Sequence, residues 1–339
     1  MKKILYTLLM VSLFSVSCTE MIPVSRDHDL DAEVKDIEIT MEKTALYCNL
    51  NKATEVDFEK LGAYLSAEER NVVTFVAPAT VGTTSFVEWL TAYAGDEWQV
   101  LSETNTDGRL VMAALVNKET SIEVEKHTVE QLLALKNAVL HFSVDNIHYV
   151  VTEFEEARNA IPADWEEQIQ NMLSTKKTLP FVYTPDVIAE RMLEVEYFVE
   201  KTLENNEFID DEYWMLCVNM NAHSSVDLKY GKEFPLEKYY DNVDVEALVK
   251  RHHKFCTIEP NLAATDIYFD SNDLLVRCGM TDCVAVKHSI YTPSCTDGSR
   301  TNFLYSSMKL WNMLSVEVDK SSEWGAAYYP IKVSLKKEE

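Results

Sequence analysis

The sequence is poor in glycine, with eight residues in 339. No Gly-rich phosphate-cradling loop is present, so the nucleotide-binding signatures built on such loops are excluded. Basic side chains are also scarce. Lys and Arg total 31 against 56 Asp and Glu, a formal charge of −25 at pH 7. A protein that neutralises phosphates needs a basic face, and this balance leaves little material for one. The same deficit argues against electrostatic docking on an anionic membrane. There is no C-x-x-C pair, so the common zinc-cage spacing is missing. No Pro- or Gly-rich linker, internal repeat or low-complexity tract divides the chain. What is present suits a packed core: 47% hydrophobic residues, with six Trp, 16 Tyr and 13 Phe.

The N-terminus carries a compartment signal. Lys2-Lys3 form a basic start, and Ile4 to Val16 an apolar stretch of signal-peptide length, too short to span a bilayer. Ser15-Val16-Ser17-Cys18 then places small residues before a cysteine. This resembles a bacterial lipobox, with Cys18 diacylated and made the new first residue. Several buried acyl chains anchor strongly. Thr19, not Asp, follows the cysteine, which points to the outer membrane. The expected organisation is a signal peptide over 1–17, a tether over 18–35 and one domain over 36–339. Cleavage also removes Lys2 and Lys3, which leaves the mature chain more acidic by two charges.

Six further cysteines lie in a chain bound for an oxidising compartment. Cys48 and Cys217 sit in apolar strand-like runs and read as buried thiols. Cys256, Cys278, Cys283 and Cys295 cluster in the last third, where a disulfide is expected without a defined connectivity. Pairing Cys295 with His288 as a nucleophile and base has no local signature to support it.

Strand and helix signals alternate from about residue 36. Residues 44–50 read as a strand, and a helix capped by Thr54 runs to Arg70 with Phe58, Leu61 and Leu65 on one face. Residues 72–77 form an apolar run stopped by Pro78. A second helix carries Phe86, Trp89, Leu90 and Tyr93 and ends at Gly95. Residues 98–103 and 109–117 form a hairpin across Asn105 to Gly108. A second hairpin pairs 138–144 with 147–154. Helices are expected over 163–174, 186–206 and 243–252, where His252-His253 suits a C-terminal cap. Strands are expected over 214–219, 266–269, 274–278, 284–291 and 328–335. This mixture predicts an α/β or α+β fold.

The order of these segments resembles the endonuclease/exonuclease/phosphatase superfamily. Leu46-Tyr47-Cys48-Asn49-Leu50 looks like its first strand, which ends in asparagine. Residues 72–77 stand where the family has a strand ending Gln-Glu, and 147–154 where a strand ends Thr-His-Leu. Residues 214–224 are similar to the Gly-Asp-Phe-Asn strand end. Thr265 to Phe269 resembles Ile-Asp-Tyr-Ile, and 326–331 falls at the closing Ser-Asp-His-Tyr-Pro. The resemblance covers about residues 40–335. It implies a four-layer sandwich of two face-packed mixed β-sheets flanked by helices, and a divalent metal that assists phosphoester hydrolysis.

The matches to the family's functional residues are few. Asn49, Asn221 and Asp266 agree with it. The metal-binding Glu falls on Ala77, the first catalytic His on Glu153 and the water-activating Asp on Asn219. The closing Asp and general-base His fall on Ala327 and Tyr328. Metal-assisted hydrolysis needs a carboxylate-held ion and an oriented base. Both are missing together, so the resemblance implies an inactivated member with no catalytic residues and no cofactor. Its role would be binding, with a protein or a small carbohydrate or peptide as partner and nucleic acid excluded. A cleft lined by Trp324, Tyr328 and Tyr329 would suit such a ligand. The competing expectation is a rebuilt enzyme holding Mg or Ca between Glu153 and Asp266.

Overall fold

A computed structural model describes residues 43–154, 213–227 and 280–335, with Asn272 and Leu275; gaps fall at 54, 68–69, 122, 129–136, 146, 222–223, 225, 308–312 and 323. The proposed signal peptide and tether, Cys18, Cys256, Cys278, Asp266 and the helices expected over 163–174, 186–206 and 243–252 lie outside the described residues.

The long apolar runs become the centres of two six-stranded sheets. The first has the order β13 (Met313–Val318), β14 (Ile331–Leu335), β1 (Lys43–Asn49), β2 (Val72–Pro78), β6 (Leu110–Asn117), β5 (Trp98–Thr104). The second has the order β11 (Thr281–Asp282), β12 (Asn302–Ser306), β10 (Tyr213–Asn219), β9 (Ile147–Glu153), β8 (Leu140–Val144), β7 (Val124–His127). Among the described residues each sheet has a single parallel pair, β1 with β2 and β9 with β10, flanked by antiparallel partners. A two-stranded ribbon, β3 (Thr80–Val81) with β4 (Thr84–Ser85), follows β2. The architecture is the expected sandwich of two mixed sheets with helices outside.

Side-chain alternation along the strands makes the layers. Ala45 and Tyr47 of β1 join Val76, Phe142, Tyr149, Met215 and others in one core between the sheets. Leu46 and Cys48, one residue out of step, face the opposite way with Phe75 and Ala77. On that outer face lie α1 (Phe58–Ser66) and α2 (Phe86–Ala94), which bury Leu61, Leu65, Phe86 and Leu90. The outer face of the second sheet buries Trp214, Leu216 and Phe303 against Leu275 and Met280. Fully burying one such side chain is worth about 1.5–3 kcal/mol. At the end of the sandwich where β1 begins, Lys43 pairs with Asp145 of the β8–β9 turn and ties the sheets together.

Local chemistry sets the boundaries. Asp57, not Thr54, caps α1, its carboxylate accepting from the Lys60 N–H at 3.1 Å. The helix stops at Ser66. Arg70 turns back instead of extending it, donating to the Tyr64 carbonyl at 2.6 Å. Gly95 closes α2 at φ 49°, and Gly108 turns the β5–β6 hairpin at φ 68°. The strand expected at 284–291 begins instead as a short helix, α3 (Cys283–Lys287), because the Asp282 side chain accepts from the Ala285 N–H at 3.0 Å. Leu275, expected in a strand, is helical. Strands β7, β12 and β13 were not anticipated. Cys48 and Cys217 are buried free thiols, as expected. Cys283 and Cys295 are also buried and free, so neither carries the disulfide expected in that region.

Candidate functional site: an amide-rich cluster around Glu153

Both parallel pairs end at the same end of the sandwich, the side on which open α/β sheets usually bind ligands. Each pair contributes an Asn-x-Asn segment there: Asn49-Leu50-Asn51 after β1 and Asn219-Met220-Asn221 after β10. The two segments fold alike. The middle residue is fully buried, and the first asparagine's Oδ1 accepts from the second's backbone N–H, at 2.8 Å and 3.1 Å. Such side-chain turns favour asparagine, which also tolerates the left-handed φ of 46° at Asn221.

These turns converge on one carboxyl group. Glu153 ends β9 directly beside Asn219 in the parallel register. Its Oε1 accepts from Asn51 Nδ2 at 2.5 Å and from Asn221 Nδ2 at 3.3 Å. Asn221 Nδ2 also donates to the Phe154 carbonyl at 2.6 Å. Asn219 Nδ2 donates to Tyr328 Oη at 3.0 Å, and Asn49 Nδ2 to Asn302 Oδ1 at 3.1 Å. Behind Glu153, Asn137 donates to its carbonyl at 2.6 Å and receives the Asn105 amide at 2.6 Å. Glu153 Oε2 and Asn302 Nδ2 have no hydrogen-bond partner among the described residues.

Glu153 is 3% exposed. Burial pushes its carboxyl up to about 7, against the lowering effect of the Asn51 and Asn221 hydrogen bonds and of Lys52. Tyr47 points into the same core from β1, and burial together with the nearby Glu153 charge raises its phenol well above the ordinary value. Amides are neither bases nor anionic ligands. The cluster is therefore a hydrogen-bonding assembly around one carboxyl poised between its two protonation states.

Of the eight positions singled out in sequence, Asn49, Glu153, Asn219, Asn221 and Tyr328 meet in this cluster. Ala77 does not: it packs on the outer face of the first sheet with Phe75 and Phe86. Val76 belongs to the inner core, and alternation puts Pro78 on its side of the sheet. Ala327 contributes only its carbonyl, which accepts from Thr296 N at 2.9 Å. Of the three aromatic residues expected to line a cleft, Trp324 and Tyr328 are buried, at 2% and 4% exposed, and Tyr329 is half-buried. Gly325 lets the chain pass there at φ 91°, where a Cβ would meet the Glu55 carbonyl oxygen at 2.5 Å. His288 Nε2 faces the Val316 carbonyl, whereas Cys295 Sγ faces Thr301 Oγ1 at 3.4 Å. Tyr47, Asn51 and Asn302 escaped sequence reasoning; the repeated Asn-x-Asn was the signal for Asn51.

A hard divalent cation seeks several oxygens, including carboxylates. Among the described residues the cluster offers one carboxyl, whose Oε1 accepts from two amide N–H groups while Oε2 has no partner there. One carboxyl alone falls short of the anionic donor set such an ion prefers, and the second carboxylate expected there, Asp266, lies outside the described residues.

No protein-family model matches the sequence, and no curated protein matches it significantly. Solved structures do. A 3′ phosphatase, NExo, from Neisseria bound to product DNA hairpin is 13% identical, with 87% of this chain and 99% of that chain covered and a TM-score of 0.52. A 3′-5′ exonuclease, NExo, from Neisseria meningitidis is 11% identical, covering 87% and 100%, with a TM-score of 0.51. The likeness is one of fold, a sandwich of two mixed β-sheets.

Proposed function

We propose that this chain is a lipid-anchored cell-envelope protein that uses a phosphoesterase-type sandwich for binding and not for hydrolysis. The observation that supports this reading is the amide cluster at the ends of the parallel strands. Hydrolysis of a phosphoester on this fold needs an anionic metal cage and an oriented base. The cluster supplies one hydrogen-bonded carboxyl near neutrality and a ring of neutral asparagines. Loss of a base or an electrostatic donor costs about 10² to 10⁴-fold in rate. The net charge of −25 adds repulsion toward nucleic acid, so the partner is a protein or a small carbohydrate or peptide. The anchor is Cys18, and Thr19 favours the outer membrane.

Purified protein assayed with magnesium, calcium or manganese is expected to turn over neither phosphodiesters nor phosphomonoesters above background. Metal-dependent turnover abolished by Asp266→Ala or Glu153→Gln would overturn the binding reading. The anchor is tested separately. The full chain expressed in a Gram-negative bacterium should fractionate with the outer membrane and carry diacylglycerol on Cys18, whereas Cys18→Ser should lose both. An unmodified Cys18 in the mature protein would sink that part.

A further inference from the structure

Three histidines from consecutive strands meet on the outer face of the second sheet, away from the Glu153 cluster. His127 ends the edge strand β7 and lies directly opposite His141 of β8 in the antiparallel register. His148 of β9 lies opposite Ser143, diagonal to His141. One ligand atom from each ring lies within 4.8 Å of the other two. His141 Nε2 and His148 Nδ1 are 2.8 Å apart. Ser143 Oγ holds His127 Nε2 at 2.9 Å. Trp214 of β10 stacks on His148 with centroids 4.5 Å apart and planes 14° apart, which fixes that ring.

We propose that His127, His141 and His148 form a tris-imidazole site for a zinc-class divalent transition metal, which clips edge strand β7 to the sheet. Imidazole nitrogen suits zinc, copper and nickel, and three histidines with one further position are a familiar zinc donor set. Ligands at 2.0–2.1 Å from a tetrahedral ion lie about 3.3 Å from one another. The three nitrogens therefore need shifts of an ångström or so, with the 2.8 Å pair opening slightly and the longer separations closing. Binding requires neutral imidazoles. Ser143 would act as the outer partner that orients a ligand ring. Glu125 stands two residues before His127 on the same face of β7, its Oε1 4.0 Å from His127 Nδ1. Its carboxylate is within reach of the fourth position. Packing alone explains the stacking on Trp214, but it does not require three ring nitrogens to converge.

The test titrates the full chain, freed of metal by chelation, with zinc alone and separately with cobalt. One zinc per chain should bind with micromolar or tighter affinity and raise the melting temperature. Cobalt should give the visible absorption of a nitrogen-ligated tetrahedral site. His127→Gln alters a half-buried edge residue and should leave the fold intact by circular dichroism. It should weaken zinc binding at least about 10-fold, and His127→Gln with His148→Gln should abolish the cobalt spectrum. The proposal is overturned if the wild-type chain shows no saturable zinc binding, or if it binds zinc as tightly with His127→Gln as without.

Discussion

Replacing Glu153 with glutamine is expected to leave stability at pH 4 almost unchanged and to raise it by about 3 kcal/mol at pH 8. The sign follows from the direction of the shift. The folded carboxyl titrates at about 7 against an ordinary 4.5, so the folded state holds its proton more tightly than the unfolded state. Stability is then highest below pH 4.5, falls as pH rises from 4.5 to about 7, and is flat above that. A shift of about 2.5 units at about 1.36 kcal/mol per unit gives the size of the fall. Glutamine copies the protonated carboxyl in shape and still accepts from Asn51 and Asn221 through Oε1, but it cannot ionise. The two melting curves should coincide near pH 4 and separate by on the order of 5 °C at pH 8. Subtracting one curve from the other isolates Glu153 from other titrating groups. Equal slopes for the two proteins would show that Glu153 ionises freely and that the cluster is wetter than its burial implies. The same samples also probe the cation question: millimolar magnesium or calcium at pH 8 should not shift the wild-type melt.

Much of the fold was legible because its central strands are apolar runs with clear stops. Asn49 ends one, Pro78 another and Asn219 a third, and Asn105 to Gly108 supplies the hairpin turn. What was not legible has physical causes. The run Val72 to Ala77 is buried on both faces, so no polar residue reports which side chains point inward. An error of one position exchanges the faces; Ala77 lies with Phe75 on the outer face, and Val76 faces the inner core. The β-branched stretch after Cys283 suggested a strand, but a single aspartate cap outweighs that propensity over five residues. Strand β12 is fully buried yet opens with Asn302 and ends with Ser306, and those polar ends hid it. Asn302 and Tyr47 reach the cluster only through pairing between strands distant in sequence. The histidine cluster was missed for another reason: the hairpin carrying His141 and His148 was anticipated, but β7, which brings His127 opposite His141, could not be read from sequence.

The largest loss of stability is expected from Arg300→Met, about 3–5 kcal/mol, enough to threaten folding at 37 °C. Arg300 is 1% exposed and sits between two equally buried carboxylates. Its Nε and Nη2 donate to Asp227 Oδ1 at 2.8 Å and 2.5 Å, and its Nη1 donates to Asp282 Oδ2 at 2.6 Å. The guanidinium carbon also lies 4.8 Å from the Phe303 ring centre. Burial raises the Asp227 carboxyl while Arg300 pulls it down, and the paired hydrogen bonds from one planar group fit the charged form. Methionine fills the volume but leaves two acids buried without their cation, which is the costly half of breaking an ion pair. The damage should not stay local. Asp282 caps α3, and Arg300 leads through Thr301, whose carbonyl accepts from Met220 N at 2.9 Å, into Asn302 of the Glu153 cluster. Urea denaturation of Arg300→Met alone, and of Arg300→Met with Asp227→Asn and Asp282→Asn, separates the two components. The triple variant should recover more than half of the loss, because asparagine keeps the helix cap and removes both uncompensated charges. Arg300→Lys should fall between wild type and Arg300→Met, since an ammonium keeps the charge but cannot span both carboxylates in one plane. A loss below about 1 kcal/mol for Arg300→Met would mean that water reaches the triad and that the entry to β12 is held by its backbone bonds alone.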